Sequence, residues 1–159
     1  MNSIISEHYS LFELYQALRE QLMEILSDSD LSYSPGGNNP PLGELCREIG
    51  EIETSYIQSF RNFKQEFNYR NSEPGLTSSV SSLREWFEEL DSELKSTISD
   101  LSDEDLRSRL IDRGNDFQVS PRIQLEIYKE ALLIFYGKSY VYLKAMGKEL
   151  SQQWQDWIA

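Results

Sequence analysis

The sequence predicts an all-α protein, a four-helix bundle with a short extra helix before the last long one. Four segments repeat apolar residues at steps of three and four. Each is followed by a stretch rich in Gly, Pro, Ser, Asn or Asp, and no alternating strand pattern competes. With 159 residues, the chain suits a single domain spanning 1–159 that can bury a sizeable core. Burying four apolar stripes at once requires the helices to pack around a common axis.

The first stripe, Ile4, His8, Leu11, Tyr15, Leu18, Leu22 and Ile25, predicts one helix that ends in SDSDLSYSPGGNNPP. The second helix is expected to open at NPPLGEL, with Asn39 as its cap and the prolines in the first turn. Its stripe runs through Leu42, Leu45, Ile49, Ile52, Tyr56, Phe60, Phe63 and Phe67. NYRNSEPG breaks the pattern, and a third stripe follows at Val80, Leu83, Phe87, Leu90, Leu94, Ile98 and Leu101. LSDEDL reads as a capped short helix starting at Ser102. The last long helix is expected to start at Ser120 and Pro121, to bury Leu125, Tyr128, Leu132, Phe135, Ser139, Tyr142 and Met146, and to stop at Gly147. The tail KELSQQWQDWIA places Trp154 and Trp157 on one face.

Charge narrows the partners. A net charge of −12 and a pI of 4.5 repel phosphate backbones and anionic membrane surfaces, so neither nucleic acid nor membrane is an expected partner. The basic run Arg107, Arg109 and Arg113 lies among acidic residues and reads as a solvated face. Cys46 is the single cysteine, which removes an internal disulfide and a thiolate metal cluster, and it is expected to be a small core residue. The N-terminus has no signal-peptide pattern, and no apolar run is long enough for a bilayer span, so the expected location is the cytoplasm. SPGGNN lacks the Lys-Ser/Thr of a phosphate loop and reads as a turn.

Three stretches carry a family likeness: LSYSPGGNNPPLGELCREIGEIE, the phrase LSDEDL, and FYGKSYVYLKAMG. In that order they resemble the DinB-like (DNA-damage-inducible-type) superfamily of four-helix bundles, which includes bacillithiol- and mycothiol-dependent enzymes. The resemblance implies an up-down-down-up arrangement. It also implies a metal held by three histidines, one in the second helix and an H-x-x-x-H pair in the fourth, where residues four apart share a face. Transferred position by position, those histidines fall on Glu48, Ala131 and Phe135. Glu48 can offer oxygen; Ala131 and Phe135 offer nothing. His8 is the only imidazole. If the first two helices are antiparallel neighbours, Glu48 is level with position 19, about 16 Å from His8 at 1.5 Å per residue. No metal and no cofactor are therefore expected.

The expected site is instead an apolar pocket at Glu48, Ala131 and Phe135, with Tyr128, Ser139 and Tyr142 as further lining. Glu48, next to Ile49, is the one carboxylate of the second helix that could serve as an acid, and otherwise reads as a boundary residue bonded to Arg or Tyr. Glu51 and Glu53 are expected to be solvated. The leading functional expectation is a metal-free, non-catalytic protein that binds a small ligand or a protein partner. One alternative is a divergent metal- or carboxylate-dependent thiol transferase or hydrolase. Another is a regulatory homodimer formed through Trp154 and Trp157, unless that tail docks on its own bundle.

Overall fold

Serine and asparagine caps set most of the helix starts. A computed structural model describes residues 1–159 and contains helices α1 (Ser3–Glu7), α2 (Tyr9–Ile25), α3 (Leu42–Asn62), α4 (Val80–Ser99), α5 (Asp103–Ser108), α6 (Pro121–Ala145) and α7 (Gln152–Trp157). A two-stranded hairpin, β1 (Ile111–Asp112) and β2 (Gln118–Val119), joins α5 to α6. The side chains of Ser79, Ser102, Ser120 and Ser151 accept the backbone N–H three residues on, and Asp105 returns the bond to Ser102 in a capping box. Pro121 occupies the first turn of α6, and Gly147 closes it at φ 69°, with the Lys148 N–H donating to the Leu143 carbonyl at 3.0 Å.

Cross-helix contacts give the directions. Gly43 packs on Thr77 and Gly50 on Trp86, while Arg61 pairs with Glu93 at the far end, so α3 and α4 run parallel. Glu13 pairs with Lys95 and Glu20 with Arg84, so α2 opposes α4. Gln124 meets Ser59, whereas Tyr142 meets Pro40, so α6 opposes α3. The bundle is up-down-down-up. Each of α2 and α3 packs against both α4 and α6, which places α2 and α3 on a diagonal rather than side by side.

Several local expectations need correction. The first helix is broken at His8. Asn2 caps α1 and also donates to the carbonyls of Ile98 and Leu101, drawing α1 over the end of α4. Ile4, Leu18 and Leu22 of the anticipated stripe are buried, but after the break the buried face widens to Tyr9, Phe12, Gln16, Arg19 and Met23, one position later, and Leu11 is 54% exposed. Asn39 does not cap α3. Pro40 and Pro41 hold the preceding backbone extended, so the helix opens after them, and the Asn39 amide instead donates to Gly36 within the turn. The stripe does not reach Phe67 either: Phe63 adopts a left-handed φ of 55° and stops the helix. The hairpin was not foreseen, because two paired residues per strand leave no periodic signal. It is tied to the linker after α3 by the Gln65 N–H, which donates to Asp112 at 2.8 Å.

A charged group sits on the bundle axis. Arg19 is 1% exposed and Glu53 0%, correcting the expectation that Glu53 is solvated. One guanidinium nitrogen of Arg19 lies 2.6 Å from Glu53, and the other donates to Asp91 at 2.7 Å. Gln16 donates to the same Asp91 oxygen, also at 2.7 Å. The Arg19 plane lies 4.1 Å from the centre of the Phe87 ring. Despite that close approach, neither Glu53 oxygen finds a donor in hydrogen-bonding geometry.

The tail docks on its own bundle. Trp154 is buried, donates its indole N–H to the Leu18 carbonyl at 2.8 Å, and meets Tyr136 edge-on. Trp157 covers Tyr15 with ring centres 5.1 Å apart and stays 42% exposed.

Two expectations follow from these contacts. Trp154→Ala should lower stability by about 3–5 kcal/mol, the cost of deleting a buried indole, and Trp157→Ala by about 1 kcal/mol or less, both read by urea unfolding. Burial pushes the Glu53 carboxyl from 4.5 up to about 8; Arg19 pulls it down and Asp91 adds to the rise. The folded chain therefore holds this proton more tightly than the unfolded chain. That contribution is complete below pH 4.5 and fades as the pH rises through about 8. Wild-type stability should decline across this window, and Glu53→Gln should flatten the decline.

Candidate functional site

The two sides of α3 are used differently. Toward α4 it has glycines: a Cβ at Gly50 would lie 2.3 Å from the Trp86 ring, and one at Gly43 1.9 Å from the Thr77 carbonyl oxygen. The helices pack closely there, and no space is left. Toward α6, α3 presents Leu45, Ile49 and Ile52 opposite Ala131, Ile134 and Phe135. Ala131 is the short member of that row, flanked by Leu132, Ile134 and Phe135. A slot of about 150 Å³ opens between the helices at this level, with Glu48 on one lip and Lys138 on the other.

Both ends of the α3–α6 contact are tied. Gln124 donates to Ser59 at 2.8 Å and to Gln65 at 2.6 Å at one end. At the other, the Tyr142 hydroxyl donates to the Pro40 carbonyl at 2.7 Å. The slot continues into a second depression of about 280 Å³ beside Asn39, Pro40, Val141 and Tyr142, and Leu45, Glu48 and Lys138 line both. A third, of about 490 Å³, lies between α3 and the linker and includes Arg47, Glu51, Phe67 and Arg70. Glu48 borders all three.

The structure thus brings Glu48, Ala131 and Phe135 into one slot, with Tyr142 in the adjoining depression. It excludes Tyr128 and Ser139. Tyr128 is wholly buried on the axis, packed at a tilt between Phe12 and Tyr56, and Ser139 is buried in the core. Trp154 and Trp157 lie against α2 and take no part in it.

The carboxylates of α3 exchange roles. Glu48 is exposed, not core-facing. Glu51 is 8% exposed, not solvated, and its Oε1 accepts the Asn71 N–H at 3.0 Å, holding the linker against α3. Arg47 is engaged by Glu44 and lies 3.6 Å from Glu51. The basic run is also mixed: Arg107 and Arg109 are exposed, but Arg113 turns inward and donates to Gln124 at 2.7 Å. Burial pushes the Cys46 thiol up to about 12, so it stays protonated and behaves as core.

Lys138 and Ile134 are the slot residues that the sequence reading did not single out. The signal was present, since Lys138 stands seven residues after Ala131 and three after Phe135, on the same helix face.

The residues at the positions that the likeness assigns to a metal are poor donors. Of the three positions, Ala131 carries a methyl group and Phe135 a phenyl ring, leaving one carboxylate where about three or four ligands are needed. No three His, Cys, Asp or Glu side chains gather within reach of one ion. No helix is long and apolar enough to cross a membrane.

Comparison with known proteins agrees with the fold. The family model of the DinB superfamily matches residues 11–128, ending before Ala131 and Phe135. A DinB-like protein from Bacillus subtilis is 20% identical, with 86% of this chain and 90% of that one aligned at a TM-score of 0.67. A DinB-like protein from Bacillus cereus is 17% identical, with 90% and 93% aligned at a TM-score of 0.73. No curated protein is significantly similar to the chain.

Proposed function

The chain belongs to the DinB superfamily, and from that premise we propose that it is a non-catalytic binding protein holding a small ligand in the α3–α6 slot. One observation carries this reading. The three positions that the family likeness assigns to metal ligands still converge on one slot, but its walls are apolar. A site that keeps its opening while losing its donors is suited to taking up a ligand and poorly suited to polarising one. Carboxylate catalysis centred on Glu48 has less support, because the slot it borders offers no second carboxylate, imidazole or thiol to share the chemistry.

A homodimer is a second reading, supported by α6 rather than by the tail. Its outer face carries Ile123 at 48%, Ile134 at 60% and Val141 at 51% exposure. Gly137 lies between the last two, with nothing within 4 Å of where its Cβ would be. A mid-helix glycine costs about 1 kcal/mol relative to alanine, and here it would let a second α6 cross closely. In an antiparallel crossing centred beside Gly137, Ile134 of each copy meets Val141 of the other.

For the first reading, ¹⁵N-resolved titration with small apolar probes should shift the amides around Ala131 and Phe135. Ala131→Trp, which fills the slot from its lip, should abolish those shifts while leaving the circular dichroism spectrum unchanged. Thiol transfer to an electrophile that is abolished by a chelator would end this reading. For the second, sedimentation should show a dimer that Gly137→Glu converts to monomer. A wild-type chain that stays monomeric at high concentration removes it.

A further inference from the structure

We infer that the α3–α6 slot selects a zwitterion: an α-amino acid with an apolar side chain, its ammonium group facing Glu48 and its carboxylate facing Lys138. This deepens the ligand-binding reading above and rests on it.

Glu48 on α3 and Lys138 on α6 both line the slot and the adjoining depression, and both are exposed. Neither enters an ion pair, with each other or with any other residue, within 4.0 Å. Beside Glu48 on α3, Arg47 is already engaged by Glu44 and Glu51, and between positions 131 and 143 of α6 Lys138 is the only charged residue. An acid and a base are therefore held apart at the mouth of an apolar space, both available to a molecule placed between them.

The rest of the slot defines that molecule. Below the two charges the walls are Ile49, Ile52, Ala131, Ile134 and Phe135, and the volume is about 150 Å³, suited to one apolar side chain. A simple anion would meet the field of a chain with net charge −12 and would leave Glu48 facing its negative group. A simple cation would leave Lys138 facing its positive group. A ligand carrying both charged groups on one carbon satisfies both lips and keeps the remaining surface apolar, where burial contributes roughly 25 cal/mol per Å².

The test uses the full chain and ¹⁵N-resolved titration with L-phenylalanine, L-leucine and the uncharged analogue N-acetylphenylalaninamide. The amino acids should bind with affinity about tenfold above the uncharged analogue, with shifts at Ala131, Ile134 and Phe135. Glu48→Gln and Lys138→Met, both at exposed positions, should each reduce that preference about three- to tenfold, as expected for partly solvated ion pairs. The paired exchange Glu48→Lys with Lys138→Glu should restore much of it. If the uncharged analogue binds the slot as tightly as the amino acids, the zwitterion assignment is overturned while the ligand-binding reading stands. If no probe shifts the slot residues, both fall.

Discussion

Arg19 is the point on which the packing of the bundle depends. It crosses the axis from α2 to Glu53 on the diagonal helix α3 and also reaches Asp91 on α4. Buried Arg19, held between the equally buried Glu53 carboxyl group and the partly exposed Asp91, tolerates little displacement, because a buried charge left without a partner costs about 3–5 kcal/mol. A one-turn slip of α3 would move Glu53 about 5.4 Å along the axis and strand it among apolar side chains. The glycine contacts act in the same sense, since a slipped α3 would bring a side chain against Trp86 where Gly50 now sits. Charge and sterics together select one register for three helices.

That axial group also accounts for what could and could not be read from the sequence. Apolar spacing located the four long helices, and Ser102, Ser120, Pro121 and Gly147 acted at their ends as their chemistry requires. The same spacing misassigned the inward face of the first helix, because the residues that turn inward there include Gln16 and Arg19. A periodicity count treats such residues as solvent-facing. Glu53 was misplaced for the same reason, and its partner Arg19 lies 34 positions away. The antiparallel pairing of the first two helices was right in direction but wrong in adjacency. On the diagonal, it is Glu53 and not Glu48 that comes level with position 19.

The candidate slot was legible for a different reason. Glu48, Ala131 and Phe135 were brought together by a family likeness, and the fold places them in one opening. Tyr128 and Ser139 were added because they share the inward stripe of α6, and that stripe divides. Its inner half reaches the axis, where Tyr128 packs at a tilt on Tyr56. The residues that turn toward α3, among them Ala131, Phe135 and Lys138, leave the slot. One-dimensional spacing cannot divide a stripe in this way, because the division depends on how closely the neighbouring helix approaches.

Helix α6 is consequently asked to serve more than one apolar contact. Its inner face fills the core, one side borders the slot, and its outer face still carries Ile123, Ile134 and Val141. A helix that served only the core would gain solubility from charges at those outer positions. The polar groups of the bundle are distributed to match: Arg19, Glu53 and Asp91 fix the helices from inside, whereas Glu48 and Lys138 remain unpaired at the lips of the slot. Internal charges that are fully committed to one another leave rim charges free to be used by a ligand. The separation of these two sets, one centred on buried Arg19 and the other shallow and unpaired, is the physical basis for the proposal that a ligand binds at the α3–α6 face rather than on the bundle axis.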